Sequence, residues 1–236
     1  MKTLLYTAAC WPSEAEARAK LWIFLKSCTK WGHVPALYGM GKGFSGYRHM
    51  LMERMLDYLK TVPADYTHVL FTDSWDGMML VLMAEIESKY QALGSPDVLM
   101  SAYFGLGNVS DLAPYEGMFD ESKFYKYPNR GGYMGKLDAV IAGFERMVSC
   151  GDLTGDDCFL HYRGWREGWW RPKLDTECSI FQVTEEHCGV AANDGRLKNY
   201  VTGERPCVLH LSGGYTDQVT GKDERMIPWA KKLGIL

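Results

Sequence analysis

The chain has 236 residues, 47% of them hydrophobic and 23% charged, and a formal net charge of −3. That length suits one large domain with a sizeable core. The balance is that of an ordinary globular protein, and it excludes an overall basic field that would draw a polyanion, so such a partner would have to meet a local patch.

In chain order, "TLLYTA" (3–8) reads as a first strand. Residues 14–31 carry Leu21, Leu25 and Cys28 at helical spacing, with acids early and lysines late, which matches the macrodipole. "HVPALYGM" reads as a second strand running into the glycine-rich "GMGKGFSG". Helix 47–60 follows, with Leu51, Met52, Met55, Leu56 and Leu59 on one face, a methionine-rich face expected to be core. Next come a strand over 68–73, a helix over 82–93, a strand in "DVLMSA" and a helix over 136–149. "GDDCF" is expected to open a short helix, and "CSIFQVT" and "CVLHLSGG" to form strands. Strands alternating with helices predict an α/β fold with a mostly parallel, doubly wound sheet.

No stretch approaches the roughly 20 apolar residues of a membrane span. The apolar run at the start of the chain is too short for a signal peptide. The seven cysteines, Cys10, Cys28, Cys150, Cys158, Cys178, Cys188 and Cys207, are odd in number and form no CxxC pair. They read as reduced thiols in a cytoplasmic protein rather than as zinc ligands or disulfides.

Two acids, Asp73 and Asp76, close the buried strand "HVLFT" with Trp75 between them. An Asp helix cap beside a solvated neighbour would explain the pattern. Two hard oxygen ligands at the carboxyl edge of an open α/β sheet would equally suit a divalent cation. Asp156/Asp157 form a second acidic spot, and His210 follows the strand "CVL", beside glycines that let backbone N–H groups approach a phosphate. No GxxxxGK[ST] occurs, so the chain is no Walker-type ATPase. "GMGKGFSG" follows the second strand, which argues against a dinucleotide fingerprint.

Taken together, "HVLFTDSWDGMM", "YPNRGGYMG", "GDDCF", "LDTECSIFQV" and "HLSGG" resemble, in order and spacing, the glycosyltransferase domain of the procollagen lysyl hydroxylases and its viral and phage-type relatives, over roughly residues 3–214. The resemblance implies a GT-A (Rossmann-like) fold in a single domain spanning 1–236, with a nucleotide-binding half (1–105) and an acceptor half (106–236). It implies a UDP-sugar donor and Mn²⁺ (or Mg²⁺) held by Asp73, Asp76 and His210. By the same resemblance, Trp75 lies near the nucleotide and Thr7 meets the base. Asn129, Arg130, Gly131 and Gly132 touch the donor sugar, and Asp156 and Asp157 stand near the transferred sugar. Ser212, with Gly213, takes the place of a family asparagine that contacts donor phosphate. A family lysine has no direct counterpart, and Lys42 or Arg48 is expected to supply its charge. Arg130 stands where the family has a serine.

A carboxylate such as Asp156 or Asp157 would take the acceptor's proton in an inverting enzyme, or steady an oxocarbenium-like centre in a retaining one. For the acceptor, "HYRGWREGWWRPK" (161–173) interleaves Arg163, Trp165, Arg166, Trp169, Trp170 and Arg171. Such a segment is either aromatic packing with a solvated basic face or a platform that stacks bases and grips phosphates. The platform reading points to a hydroxymethylated pyrimidine, 5-hydroxymethylcytosine in DNA. The alternative acceptor is a protein (hydroxylysine-like) or glycan hydroxyl. A catalytically silent binding module that keeps the fold is the third reading, and the joint presence of Asp73, Asp76, His210, Asp156 and Asp157 argues against it.

Overall fold

Three parallel strands set the frame: β1 (Thr3–Ala8), β2 (Ala36–Tyr38) and β3 (His68–Thr72). In this computed structural model, residues 1–41, 48–105, 117–150, 163–184, 189–212 and 222–236 are described. Val69, Leu70, Phe71 and Thr72 are all buried, which is why β3 reads as an unbroken apolar run rather than an alternating one. The sheet continues through β5 (Val98–Tyr103), β6 (Tyr127–Lys136) and β7 (Lys173–Asp175) in the order β2-β1-β3-β6-β5-β7. Within it, β6 alone runs against the rest.

Helices α1 (Glu14–Lys20), α2 (Trp22–Lys30), α3 (Arg48–Leu59), α4 (Met83–Ala92) and α5 (Leu137–Ser149) flank the sheet. Met52, Met55 and Leu59 of α3 and Val140, Phe144 and Met147 of α5 pack on Tyr6, Phe71 and Tyr133, so the methionine face is core. On the other side, α2, α4 and the last helix (Lys222–Lys232) share a core with a second sheet. That sheet has the order β4 (Gly77–Met79), β11 (Val208–Leu211), β8 (Phe181–Thr184). A hairpin of β9 (Val190–Asn193) and β10 (Arg196–Asn199) turns on Asp194 and Gly195, both at positive φ, as a two-residue type I′ turn requires.

Two expectations change in detail. The helix expected over 14–31 breaks at Leu21 into α1 and α2, with Ser13 capping the first by accepting from Glu16 N. "YPNRGGYMG", just ahead of the helix expected over 136–149 and in no expected strand, is the central strand β6. Its glycines are required by close neighbours: a Cβ on Gly132 would lie 2.6 Å from the Phe181 ring, and one on Gly135 would lie 2.5 Å from Asp97 O. Among the described residues no helix is long and apolar enough to cross a membrane.

Candidate metal and donor site

The turn after β3 is clamped to both neighbouring strands. Thr7 Oγ1 donates to Thr72 O (2.7 Å), Ser74 Oγ donates to Ala8 O (3.1 Å), and Asp73 N donates to Gly131 O (2.9 Å). Gly77 closes the turn, because any Cβ there would overlap the carbonyl oxygen of Asp73. The chain then enters β4, which pairs antiparallel with β11 so that His210 stands opposite Gly77. Leu211 N donates to Asp76 O (2.9 Å) and closes that end of the ladder. Backbone pairing, rather than side-chain attraction, thus carries the histidine to the acids.

His210 Nε2 lies 3.2 Å from Asp76 Oδ1 and 3.6 Å from Asp73 Oδ2. One ligand atom from each of the three residues falls within 4.8 Å of the others. The imidazole is buried and the carboxylates are partly exposed, so the cluster opens toward solvent on its acidic side. Burial by itself pulls the His210 pKa down, but Asp76 and then Asp73 outweigh it, and the net shift is upward from 6.5; Arg130 opposes the rise. Two carboxylate oxygens and an imidazole nitrogen suit a divalent cation, and three protein ligands leave further coordination positions open.

A wide bulge in β6 faces this cluster. Met100 pairs with Tyr133 and the next residue, Ser101, pairs with Asn129, so Arg130, Gly131 and Gly132 have no counterpart on β5. A Cβ on Gly131 would overlap the His210 ring. Asn129 holds the bulge, its Oδ1 accepting from Gly131 N (2.9 Å) and its carbonyl from Ser101 Oγ (2.6 Å). The Arg130 charge acts on both His210 and Tyr38, so this cation belongs to the site.

Other expected residues fall as follows. Thr7 is fully buried and engaged by Thr72, so it supports the end of β3. Trp75 is half-buried and stacks on Trp11 (centroids 5.6 Å apart, planes at 21°), with Lys20 Nζ 5.9 Å from its ring. Ser212 O accepts from Arg225 Nη2 (3.1 Å), tying the end of β11 to the last helix. Arg48 opens α3. Asp156, Asp157, Lys42, Gly213 and the side chain of Arg48 lie outside the described residues.

In the basic-aromatic segment, Glu167 engages Arg163 (2.7 Å), Arg166 (3.8 Å) and the Trp169 N–H (3.0 Å), while Arg171 Nε donates to Trp165 O (3.1 Å). Trp165 packs against Phe119, and Arg146 lies over Trp169. Trp170, expected on the acceptor surface, is instead a core residue, seated against Phe144 in a notch that only a glycine at 143 leaves open. Tyr38, Trp11 and Gly77 escaped the sequence reading. Of these only Gly77, directly after the second acid, carried a local signal.

No protein-family model matches the sequence, and no curated protein does. Among solved structures, the fold is similar to that of a glycosyltransferase involved in the glycosylation of the major capsid of PBCV-1. That match has a TM-score of 0.56 at 11% identity and covers 97% of this chain and all of that one. It is also similar to mouse xyloside xylosyltransferase 1 in its apo form, with a TM-score of 0.51 at 11% identity, covering 78% of this chain and 88% of that one. At such identity the likeness is one of fold: a mixed α/β architecture with a mostly parallel central sheet and flanking helices.

Proposed function

We propose that this chain is a metal-dependent glycosyltransferase, moving a sugar from a nucleoside-diphosphate donor to a hydroxyl acceptor. The observation that carries this reading is the Asp73–Asp76–His210 cluster at the carboxyl edge of a sheet whose similar solved structures are glycosyltransferases. The positive charge of a divalent cation bound there would stabilise the departing diphosphate. Arg130, on the bulge beside the cluster, adds a fixed cation for the same charge. Trp75, partly exposed and stacked on Trp11 in the turn between the two acids, would lie beside the nucleotide, and Asn129 shapes the bulge on which the donor sugar would rest. A UDP-sugar donor and Mn²⁺ are what the sequence resemblance to the lysyl hydroxylase transferase domains implies. Asp156 and Asp157 are proposed as the carboxylates beside the reacting carbon.

For the acceptor, a glycan or protein hydroxyl is favoured over hydroxymethylcytosine in DNA. Glu167 balances Arg163 and Arg166, and Trp170 is buried, so segment 163–171 presents fewer open phosphate and base contacts than its sequence promises. The solved structures of similar fold also come from enzymes described as acting in capsid glycosylation or on a xyloside.

The test is release of nucleoside diphosphate from a panel of UDP-, GDP- and dTDP-sugars with Mn²⁺, with and without glycan, peptide and hydroxymethylated DNA acceptors. Metal-dependent release, lost in Asp76→Ala, is expected. No release from any donor under any metal would sink the reading.

A further inference from the structure

Among the described residues, three buried side-chain polar atoms lack a hydrogen-bond partner: Tyr38 Oη, Arg196 Nε and His210 Nδ1. Buried polar groups are nearly always paired, so each exception asks for an explanation. Two of these three sit at the cation cluster. Tyr38 is 3% exposed, and its ring packs against Tyr6 (6.0 Å) and Tyr58 (5.6 Å).

The sheet register sets Tyr38 in line with the cation cluster. Tyr38 pairs with Ala8, and Tyr6 pairs with Phe71. Continued two residues beyond that second pair, the same register brings Ala8, the last residue of β1, level with Asp73, the first residue after β3. Tyr38, Ala8 and Asp73 therefore form a row on one sheet face across three adjacent strands. Neighbouring strands lie about 4.8 Å apart, the middle residue has only a methyl side chain, and the Asp73 charge acts on the Tyr38 phenol. Ser74, next to Asp73, is bonded to the carbonyl of the same Ala8, which fixes the row. Burial foremost, then Tyr6, Cys10 and Asp73, push the Tyr38 pKa well above 10, and Arg130 opposes the rise.

We infer that Tyr38 is a positioning residue for the cation site, donating its hydroxyl to the Asp73 carboxylate when a divalent cation engages Asp73, Asp76 and His210. A ligating carboxylate whose other oxygen accepts a hydrogen bond is held in orientation, and loss of such an outer partner typically lowers metal affinity by about 10–100-fold. The inference rests on the cation-binding reading above. It separates from a purely structural role because the hydroxyl has no bond to lose in the cation-free protein.

The experiment compares wild type with Tyr38→Phe by Mn²⁺ calorimetry, with and without UDP, and by thermal unfolding in EDTA. Expected are an unchanged or raised unfolding temperature in EDTA and a Mn²⁺ affinity about tenfold weaker or worse. Equal Mn²⁺ affinity in the two proteins overturns the role of Tyr38 and leaves the cation site standing. A Tyr38→Phe protein that is destabilised or unfolded in EDTA also overturns it, since the hydroxyl would then be bonded without the cation. Failure of the wild type to bind Mn²⁺, Mg²⁺ or Co²⁺ at all removes the cation site itself, and with it this inference.

Discussion

Gly131 and His210 touch so closely that no side chain fits between them: a Cβ on Gly131 would overlap the imidazole. The ring is buried and short, and the β4–β11 ladder fixes its backbone, so it has little room to retreat. Gly131→Ala should therefore swing His210 away from Asp76. The expected result is a loss of Mn²⁺ affinity of at least about tenfold, with destabilisation of about 1–3 kcal/mol from overpacking. Calorimetry and urea unfolding on the same variant measure the two effects. Wild-type affinity in Gly131→Ala would show that His210 is not a ligand in the present geometry.

The pH dependence of the site has two opposite signs. Burial lowers the His210 pKa and the Asp76 and Asp73 carboxylates more than restore it, so the folded, cation-free value lies above 6.5. The stability this provides is fully present below pH 6.5 and is lost as the pH rises through the raised value. Cation binding needs the neutral imidazole, so affinity should climb as the pH rises through that same value, with release of a proton. On the acid side, Mn²⁺ affinity should fall by about tenfold per pH unit as His210 alone takes up a proton. Calorimetry in two buffers of different ionisation enthalpy counts the proton directly, and a pH-independent affinity would exclude His210 as a ligand.

Asp175 supports the site from a distance. Its buried carboxylate accepts from Ser179 N (2.9 Å), Ile180 N (2.8 Å) and Phe181 N (2.8 Å), which sets the start of β8. Strand β8 pairs with β11 and so holds the register of His210. Asp175→Ala would orphan three buried donors at about 1–3 kcal/mol each. A loss of about 3 kcal/mol or more in urea unfolding is expected, together with weakened Mn²⁺ binding although the residue lies outside the cluster.

Asp156 and Asp157 are proposed to act on the reaction rather than on donor binding. Replacing each with the near-isosteric Asn should leave UDP–Mn²⁺ affinity close to wild type. In at least one variant turnover should fall by about 10²-fold or more. Steady-state rates set beside calorimetric UDP affinities test this, and full turnover in both variants would reduce the pair to a helix cap.

Legible along the chain were the parts governed by near neighbours. An apolar run ending in Asp73 and Asp76 reads as a buried strand with a polar mouth, because strand burial and turn chemistry are local properties. The helical spacings of α3, α4 and α5 are local in the same sense, and their boundaries fall within a few residues of expectation. Tertiary structure alone decided β6. Proline and glycine disfavour a strand, and only contact with His210, Phe181 and Asp97, all remote in the chain, explains why glycine is needed there. It also decided the 163–171 segment, where the same arginines and tryptophans would read alike on a free surface. Glu167 neutralises part of that charge, and the notch at Gly143 draws Trp170 into the core. Tyr38 was invisible for the same reason: an apolar-flanked tyrosine looks like packing until the register of three strands sets it in line with Asp73. Propensity and periodicity report on neighbours along the chain, whereas the space beside a glycine and the partner of a charge are set by residues that only folding brings near.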